Sequence, residues 1–357
     1  MRDILPEVTA WLQNQEPVAL ATVIHTWGSS PRPAGAKMAL TADGKLAGSV
    51  SGGCVEAAVF ESGVEVIQTG RPQLLKFGVT DETAWGVGLA CGGQIEVFVR
   101  PLDPHFFAAL QAEILAQRPY CVASIVSGPL DLLGGELLIH ENGVSGSLDE
   151  RLKADLISRA LQAVGQGRSQ RLSFDWQGET LQVFVEVVKS PPTLVIVGGV
   201  HIAIALATLA KNLGYATVVV DPRRAFGSPE RFPHVDRLIQ AWPQDAFAQL
   251  SLTSETAIAM LTHDPKIDDP ALRIALRSPA FYVGALGSKK TQEKRRQRLL
   301  AGGLQPEQLA RLHAPIGLDI GGETPEEIAL SIMAQIVATR HASESTGRPV
   351  ELSSQTS

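Results

Sequence analysis

Hydrophobic and polar positions divide the chain into two kinds of grammar. In the first half, short apolar runs alternate with turn residues. Pro17–His25 (PVALATVIH) is rich in β-branched and apolar residues and predicts a strand. Lys37–Thr41 and Lys45–Val50 predict a hairpin around Asp43-Gly44, a strong turn signal. Further strands are expected at Leu74–Val79, Gln94–Val99, Tyr120–Val126, Glu136–His140 and Leu181–Val187. Helical periodicity marks residues 3–14, a segment opening at Cys54 and running to about Gln68, residues 104–117, and Leu148–Val164. Two loops are dense in Gly, Ser or Pro: Trp27–Gly35 and Gly86–Gly93.

After Lys189-Ser190-Pro191-Pro192 the pattern changes, and consecutive prolines stop regular structure there. Thr193–Val197, Ala216–Val220, Thr256–Leu261 and Phe281–Leu286 are continuous apolar runs, as strands covered on both faces require. Helical segments separate them, which predicts a parallel sheet. The last helix opens at Thr324-Pro325-Glu326-Glu327, a capping box with proline at the first helical position. Ile328, Ile332, Met333 and Ile336 mark its buried face. The expected fold class is α/β: a C-terminal Rossmann-like parallel sheet with helices on both faces, plus an N-terminal α+β domain. The expected boundaries are 1–189 for the N-terminal domain, 190–341 for the Rossmann-like domain and 342–357 for a polar tail.

Composition narrows the function classes. The 357 residues are 45% hydrophobic, which fits a globular protein of two or three domains. A formal net charge of −6 argues against a broad nucleic-acid footprint. No apolar run reaches the ~18 residues of a membrane span. The N-terminal MRDILPEVTAWLQ lacks a signal-peptide pattern, so a cytoplasmic location is expected. The three cysteines, Cys54, Cys91 and Cys121, form no disulfide framework and no CxxC pair.

Three constellations carry candidate chemistry. The first is Gly198-Gly199-Val200-His201-Ile202-Ala203, placed between a strand and a helix like a dinucleotide fingerprint. Gly198 and Ala203 suit the outer positions, but Val200 stands where the second glycine admits a diphosphate. Asp221, 23 residues beyond Gly198, suits an acid that bonds ribose hydroxyls; Arg223 and Arg224 suit a 2′-phosphate instead. The second constellation lies after two strands: Thr262-His263-Asp264, and Gly287-Ser288-Lys289-Lys290 at a basic helix start. His263 reads equally as an exposed loop residue or a ligand contact. The third joins Gly28-Ser29-Ser30-Pro31-Arg32-Pro33 with the glycine-flanked thiols of Gly52-Gly53-Cys54 and Cys91-Gly92-Gly93. A helix N-terminus favours thiolate at Cys54, and Glu56 follows two residues on. Cys121, inside an apolar strand, reads as a small buried hydrophobe.

With these segments in view, the chain resembles the XdhC/CoxI family of accessory proteins for molybdenum hydroxylases. The resemblance rests on GSSPRPAGAKM (28–38), GSVSGGCVE (48–56), CGG (91–93), DPRRAF (221–226), RFP (231–233), THDPKIDDPAL (262–272), YVGALGSKKT (282–291) and APIGLDIGGETPEEIALSI (314–332). Two positions depart from the family pattern: Val200 replaces a glycine, and Ala90 precedes Cys91 where a glycine is usual. The resemblance implies a maturation chaperone more than a turnover enzyme. It would bind molybdenum cofactor (molybdopterin or its dinucleotide form), protect it, support its sulfuration with a cysteine desulfurase, and insert it into a xanthine dehydrogenase-type apoenzyme, as a homodimer. Cys54 and Cys91 would take part in sulfur handling or touch the metal. Ser29, Ser30, Arg32, Lys37 and Glu56 would contact the cofactor's polar end. Gly198, Gly199, His201, Asp221, Arg223, His263, Asp264 and Lys289 would hold a nucleotide-like or phosphate-bearing part. The alternatives are an NAD(P)-dependent oxidoreductase and a partner-recruiting scaffold that binds no cofactor.

Overall fold

The computed structural model describes residues 1–28, 32–53, 55–78, 93–141, 143–146 and 148–346. They divide into two compact units, Met1–Ser190 and Pro191–Ser357.

In the first unit the chain runs α1 (Leu5–Gln13), β1 (Val18–Trp27), β2 (Lys37–Thr41), β3 (Leu46–Gly48), α2 (Glu56–Thr69), β4 (Gln73–Phe77) and β5 (Gln94–Pro101). It continues through α3 (Pro104–Leu115), β6 (Tyr120–Ser127), β7 (Glu136–His140), β8 (Gly143–Ser145), α4 (Glu150–Gln166), β9 (Gln170–Trp176) and β10 (Glu179–Val188). Two antiparallel sheets result, ordered β3-β2-β1-β5-β4 and β8-β7-β6-β10-β9. Four of these strands, β1, β5, β6 and β10, run longer than the ranges expected from the apolar runs. The short β8 and the polar edge strand β9 were not expected from the pattern.

Strand parity decides what each face buries. Ala19, Ala21 and Val23 of β1, Met38 and Leu40 of β2, and Val97 and Val99 of β5 pack under α2 through Val59 and Val66. The intervening residues point the other way, toward the second sheet, where Ile24 and Phe98 meet Val126 and Phe184. The second sheet is covered outside by Leu152, Leu156, Ala160 and Ala163 of α4. Lys37, Arg100, Glu136 and Glu186 share the inward parity, so charges enter the space between the sheets. They pair there: Lys37 Nζ donates to Glu186 at 2.8 Å, and Arg100 sits 2.6 Å from Glu136, which also accepts from Ser124 at 2.7 Å.

The second unit alternates strand and helix. It runs β11 (Thr193–Val197), α5 (His201–Asn212), β12 (Ala216–Val220), β13 (Arg237–Ile239), α6 (Pro243–Phe247), β14 (Thr256–Met260) and α7 (Pro265–Ala275). Then come β15 (Tyr282–Ala285), α8 (Lys289–Ala301), α9 (Pro306–Leu309), β16 (Leu312–His313) and α10 (Pro325–Thr346). The sheet order is β13-β12-β11-β14-β15-β16, and every pairing is parallel. This is the doubly wound Rossmann arrangement, with its switch point between β11 and β14. One face packs on α6, α7, α8 and α9, the other on α5 and α10. The capping box forms as expected: Glu327 N–H donates to Thr324 Oγ1 at 3.2 Å, and Glu327 Oε2 accepts from the Thr324 N–H at 3.0 Å. α10 then continues to Thr346, past the point where a polar tail was expected.

Three loops at the carboxyl edge of this sheet are tied by one buried network. Thr262, after β14, donates its hydroxyl to Asp268 of α7. Arg295 of α8 grips Asp268 at 2.8 Å and reaches back to the Leu286 carbonyl at 3.1 Å, after β15. Gly198, at φ 108°, lies so close that a Cβ there would stand 2.4 Å from Thr262 Cγ2. Asp268 and Arg295 are each 1% exposed. Breaking such a pair from one side leaves a buried charge, so Arg295→Met should lose about 3–5 kcal/mol in urea denaturation. The double variant Arg295→Met/Asp268→Asn should lose less than the single, because the stranded charge is gone.

Candidate functional site

In the first unit, Arg32 and Lys37 line one cleft of about 330 Å³ together with Asp3, Gly35, Ser169 and Glu186. Arg32 lies 3.4 Å from Asp3 at the rim. Lys37 lies deeper, at 5% exposure, with its ammonium held by Glu186 and 3.4 Å from Thr22 Oγ1. The segment that carries Arg32 therefore forms a wall of the cleft, and Lys37 its charged floor. Ser29, Ser30, Cys54 and Cys91 lie outside the described residues, as does the expected glycine-rich loop save Gly93.

Glu56, expected as a ligand contact, directs its carboxylate to the chain itself. Its carboxylate turns back onto the loop that precedes α2. It accepts from the backbone N–H groups of Val50, Ser51, Gly52, Gly53 and Val55 at 2.8–3.2 Å, and from the Ser49 hydroxyl at 2.7 Å. The Ser51 hydroxyl also donates to it. Gly52 and Gly53, at φ 81° and 123°, let the backbone curl so that successive N–H groups converge. Partial burial works against the charge, but these donors outweigh it and hold the carboxyl well below the ordinary carboxylate range. The turn from Ser49 to Gly53 is thus built around an internal anion. Cys121 is 1% exposed; burial, with Glu186 nearby, pushes its thiol up to about 12, which makes it a packing residue.

In the second unit the expected residues gather at the carboxyl edge. His201 opens α5, Asp264 caps α7 by accepting from Lys266 N–H at 2.9 Å, and Ser288 caps α8 ahead of Lys289. His201, His263, Lys289 and Lys290 are exposed. Asp221 is fully buried, and its carboxylate is engaged by the chain. Arg223 meets it with Nε at 2.9 Å and Nη2 at 2.7 Å, and the Arg223 and Gly199 N–H groups donate at 2.9 and 2.8 Å. Burial opposes the charge, but Arg223 and these N–H groups hold the carboxyl below its ordinary range. Gly199 is needed for another reason as well: a Cβ there would stand 2.3 Å from the Phe226 carbonyl oxygen. The glycine turn thus accommodates the chain's own loop. These features do not suit an NAD-type dinucleotide, whose ribose and diphosphate need that acid and that approach.

Sequence patterns alone passed over Glu186, Arg100, Glu136, Asp268 and Arg295. The signal available for the first three was a charge at an inward-facing strand position. No group of three or more His, Cys, Asp or Glu able to hold a metal ion occurs among the described residues.

Comparison with known proteins adds the lineage. A family model described as the XdhC Rossmann domain matches residues 194–336, and one described as the XdhC and CoxI family matches residues 11–78. The chain belongs to the XdhC/CoxI family. It is 29% identical over 339 residues to a Bacillus subtilis (strain 168) protein described as a probable xanthine dehydrogenase subunit, spanning 93% of this chain and 96% of that protein. It is 27% identical over 351 residues to the molybdenum cofactor insertion chaperone PaoD of Escherichia coli (strain K12), spanning 98% and 92%. A crystal structure described as a xanthine dehydrogenase from Bacillus halodurans superimposes with a TM-score of 0.77 at 26% identity, covering 97% of this chain and 98% of that one. In this XdhC/CoxI chain, the N-terminal family segment holds Arg32, Lys37 and the Glu56-centred loop. The Rossmann segment holds the carboxyl-edge loops.

The Glu56 cage has a measurable signature. At neutral pH Glu56→Gln should lower stability by about 2 kcal/mol, the scale of a hydrogen bond to a charged group. A depressed folded-state pKa adds stability that is present above the unfolded value, near 4.5, and lost as pH falls. The gap between wild type and Glu56→Gln in urea midpoints should therefore narrow from pH 5 to pH 3.

Proposed function

We propose that this chain is a molybdenum-cofactor-binding maturation factor for a xanthine dehydrogenase-type enzyme. The observation that carries this reading is the match, over nearly its whole length, to a molybdenum cofactor insertion chaperone. The reading makes the chain a carrier, not a turnover enzyme. It protects the cofactor, supports its sulfuration beside a cysteine desulfurase, and delivers it to the apoenzyme in the cytoplasm, as a homodimer.

The N-terminal cleft suits the polar end of such a ligand. Arg32 offers a planar fork of donors to phosphate or a ring edge, and Lys37 with Glu186 provides a fixed charged floor. Ser29 and Ser30 sit in the same sequence segment and add hydroxyl donors. When bound, the cofactor would supply a metal centre whose oxo ligand is replaced by sulfido, with the sulfur drawn from the desulfurase. Cys54 and Cys91 would hold that centre as soft thiolate donors. Glu56 shapes the loop on which Cys54 rides. At the carboxyl edge of the Rossmann unit, His201, His263 and Lys289 are exposed near helix starts and suit a phosphate.

Molybdenum retention tests the reading. Purified protein incubated with molybdenum cofactor under anaerobic conditions and desalted should keep molybdenum. The Cys54→Ala/Cys91→Ala variant should keep several-fold less. Equal retention by the variant removes the cysteines from the site, and no retention by wild type overturns the carrier role.

A further inference from the structure

The Rossmann unit holds a nucleotide-type acid that its own chain has already engaged. Asp221 follows directly on β12, where an acid meets ribose hydroxyls in dinucleotide-binding sheets. Here both carboxylate oxygens face the Arg223 fork, at 2.9 and 2.7 Å, and the acid is completely buried. The guanidinium is held in place from its other side by the Phe226 ring, 4.0 Å from its carbon centre. Phe226 N–H and Gly227 N–H both return to the Arg223 carbonyl at 3.0 Å, closing the segment into a tight turn. Gln240 donates to the Gly227 carbonyl, and Arg231 reaches the Ala225 and Phe226 carbonyls at 3.3 Å. The turn presses the Phe226 carbonyl against Gly199, whose N–H is committed to Asp221. Asp264 and Asp268 add their negative charge to the field that holds Arg223.

We infer that Arg223 is a specificity-determining latch that closes the Rossmann unit to nucleotides bearing a free ribose diol. The guanidinium occupies the acceptor that a diol needs, and the turn it anchors covers the glycine that a diphosphate needs. For the carrier role proposed above, this favours a pterin that ends in a phosphate monoester over a dinucleotide form. That last step rests on the carrier reading; the latch itself does not.

NAD+ is the probe, because its ribose diol would need the Asp221 carboxylate that Arg223 fills. In isothermal titration of the full chain, wild type should show no saturable binding at millimolar NAD+. Arg223→Met removes the guanidinium and frees the Asp221 carboxylate. It should bind NAD+ roughly tenfold tighter or more, the worth of one hydrogen bond to a charged group. Adding Asp221→Asn should abolish the gain. Circular dichroism checks folding; if Arg223→Met does not fold, Arg223→Lys, which keeps charge but loses the fork, should shift affinity the same way by less. NAD+ binding by wild type as tight as by the variants, or no gain in a folded variant, overturns the latch. The titration contains no molybdenum, so its failure is read separately from failure of the carrier role.

Discussion

An ion removed from water must take a partner with it, and this constraint organises both units. Between the two N-terminal sheets, Lys37 meets Glu186 and Arg100 meets Glu136. Under the Rossmann edge, Asp268 meets Arg295 and Asp221 meets Arg223. Each pair joins distinct parts of the chain or pins a loop to a strand end. Replacing such pairs with hydrocarbon of similar volume is often neutral for stability, so their contribution here lies in geometry. Lys37 and Glu186 fix β2 against β10 and set the floor of the cleft. Asp268 and Arg295 fix the spacing of the loops after β14 and β15.

The fold was largely legible because its two grammars are so different. Unbroken apolar runs such as Thr193–Val197 and Ala216–Val220 can only be strands covered on both faces, and they became β11 and β12. The antiparallel half was legible in part. Its central strands carry clear alternation, but β9 reads QRLSFDW, with polar residues on its solvent side and little apolar run to detect. β13 and β16 are too short to show a period, and sheet pairing from their neighbours makes them strands. Where charge stands at an inward position, the pattern marks Lys37 only as a cofactor contact and passes over Arg100. Only the facing sheet shows that a countercharge waits across the gap.

The candidate site was legible as a set of segments and less so as a set of roles. The sequence singles out Glu56, Asp221 and Asp264 as ligand contacts, and the structure sets each beside a loop of its own chain. It assigns their carboxylates to the chain's own N–H groups and, at Asp221, to Arg223. Glycine counting could not distinguish a turn open to phosphate from one filled by the Phe226 carbonyl, because both require the same missing Cβ. The same ambiguity applies to acids near helix starts, which bind ligands or cap helices with equal chemistry.

The Glu56 cage also bears on the order in which the chain folds. Its bonds join residues no more than seven apart, whereas β1 must find β5 across some seventy residues of chain. Local contacts close fast and distant strand pairs close slowly. The loop leading into α2 can therefore take its shape as soon as the helix begins to wind. The cleft wall matures later, when the two sheets have met, so the turn from Ser49 to Gly53 is among the earliest parts of the first unit to acquire its final form.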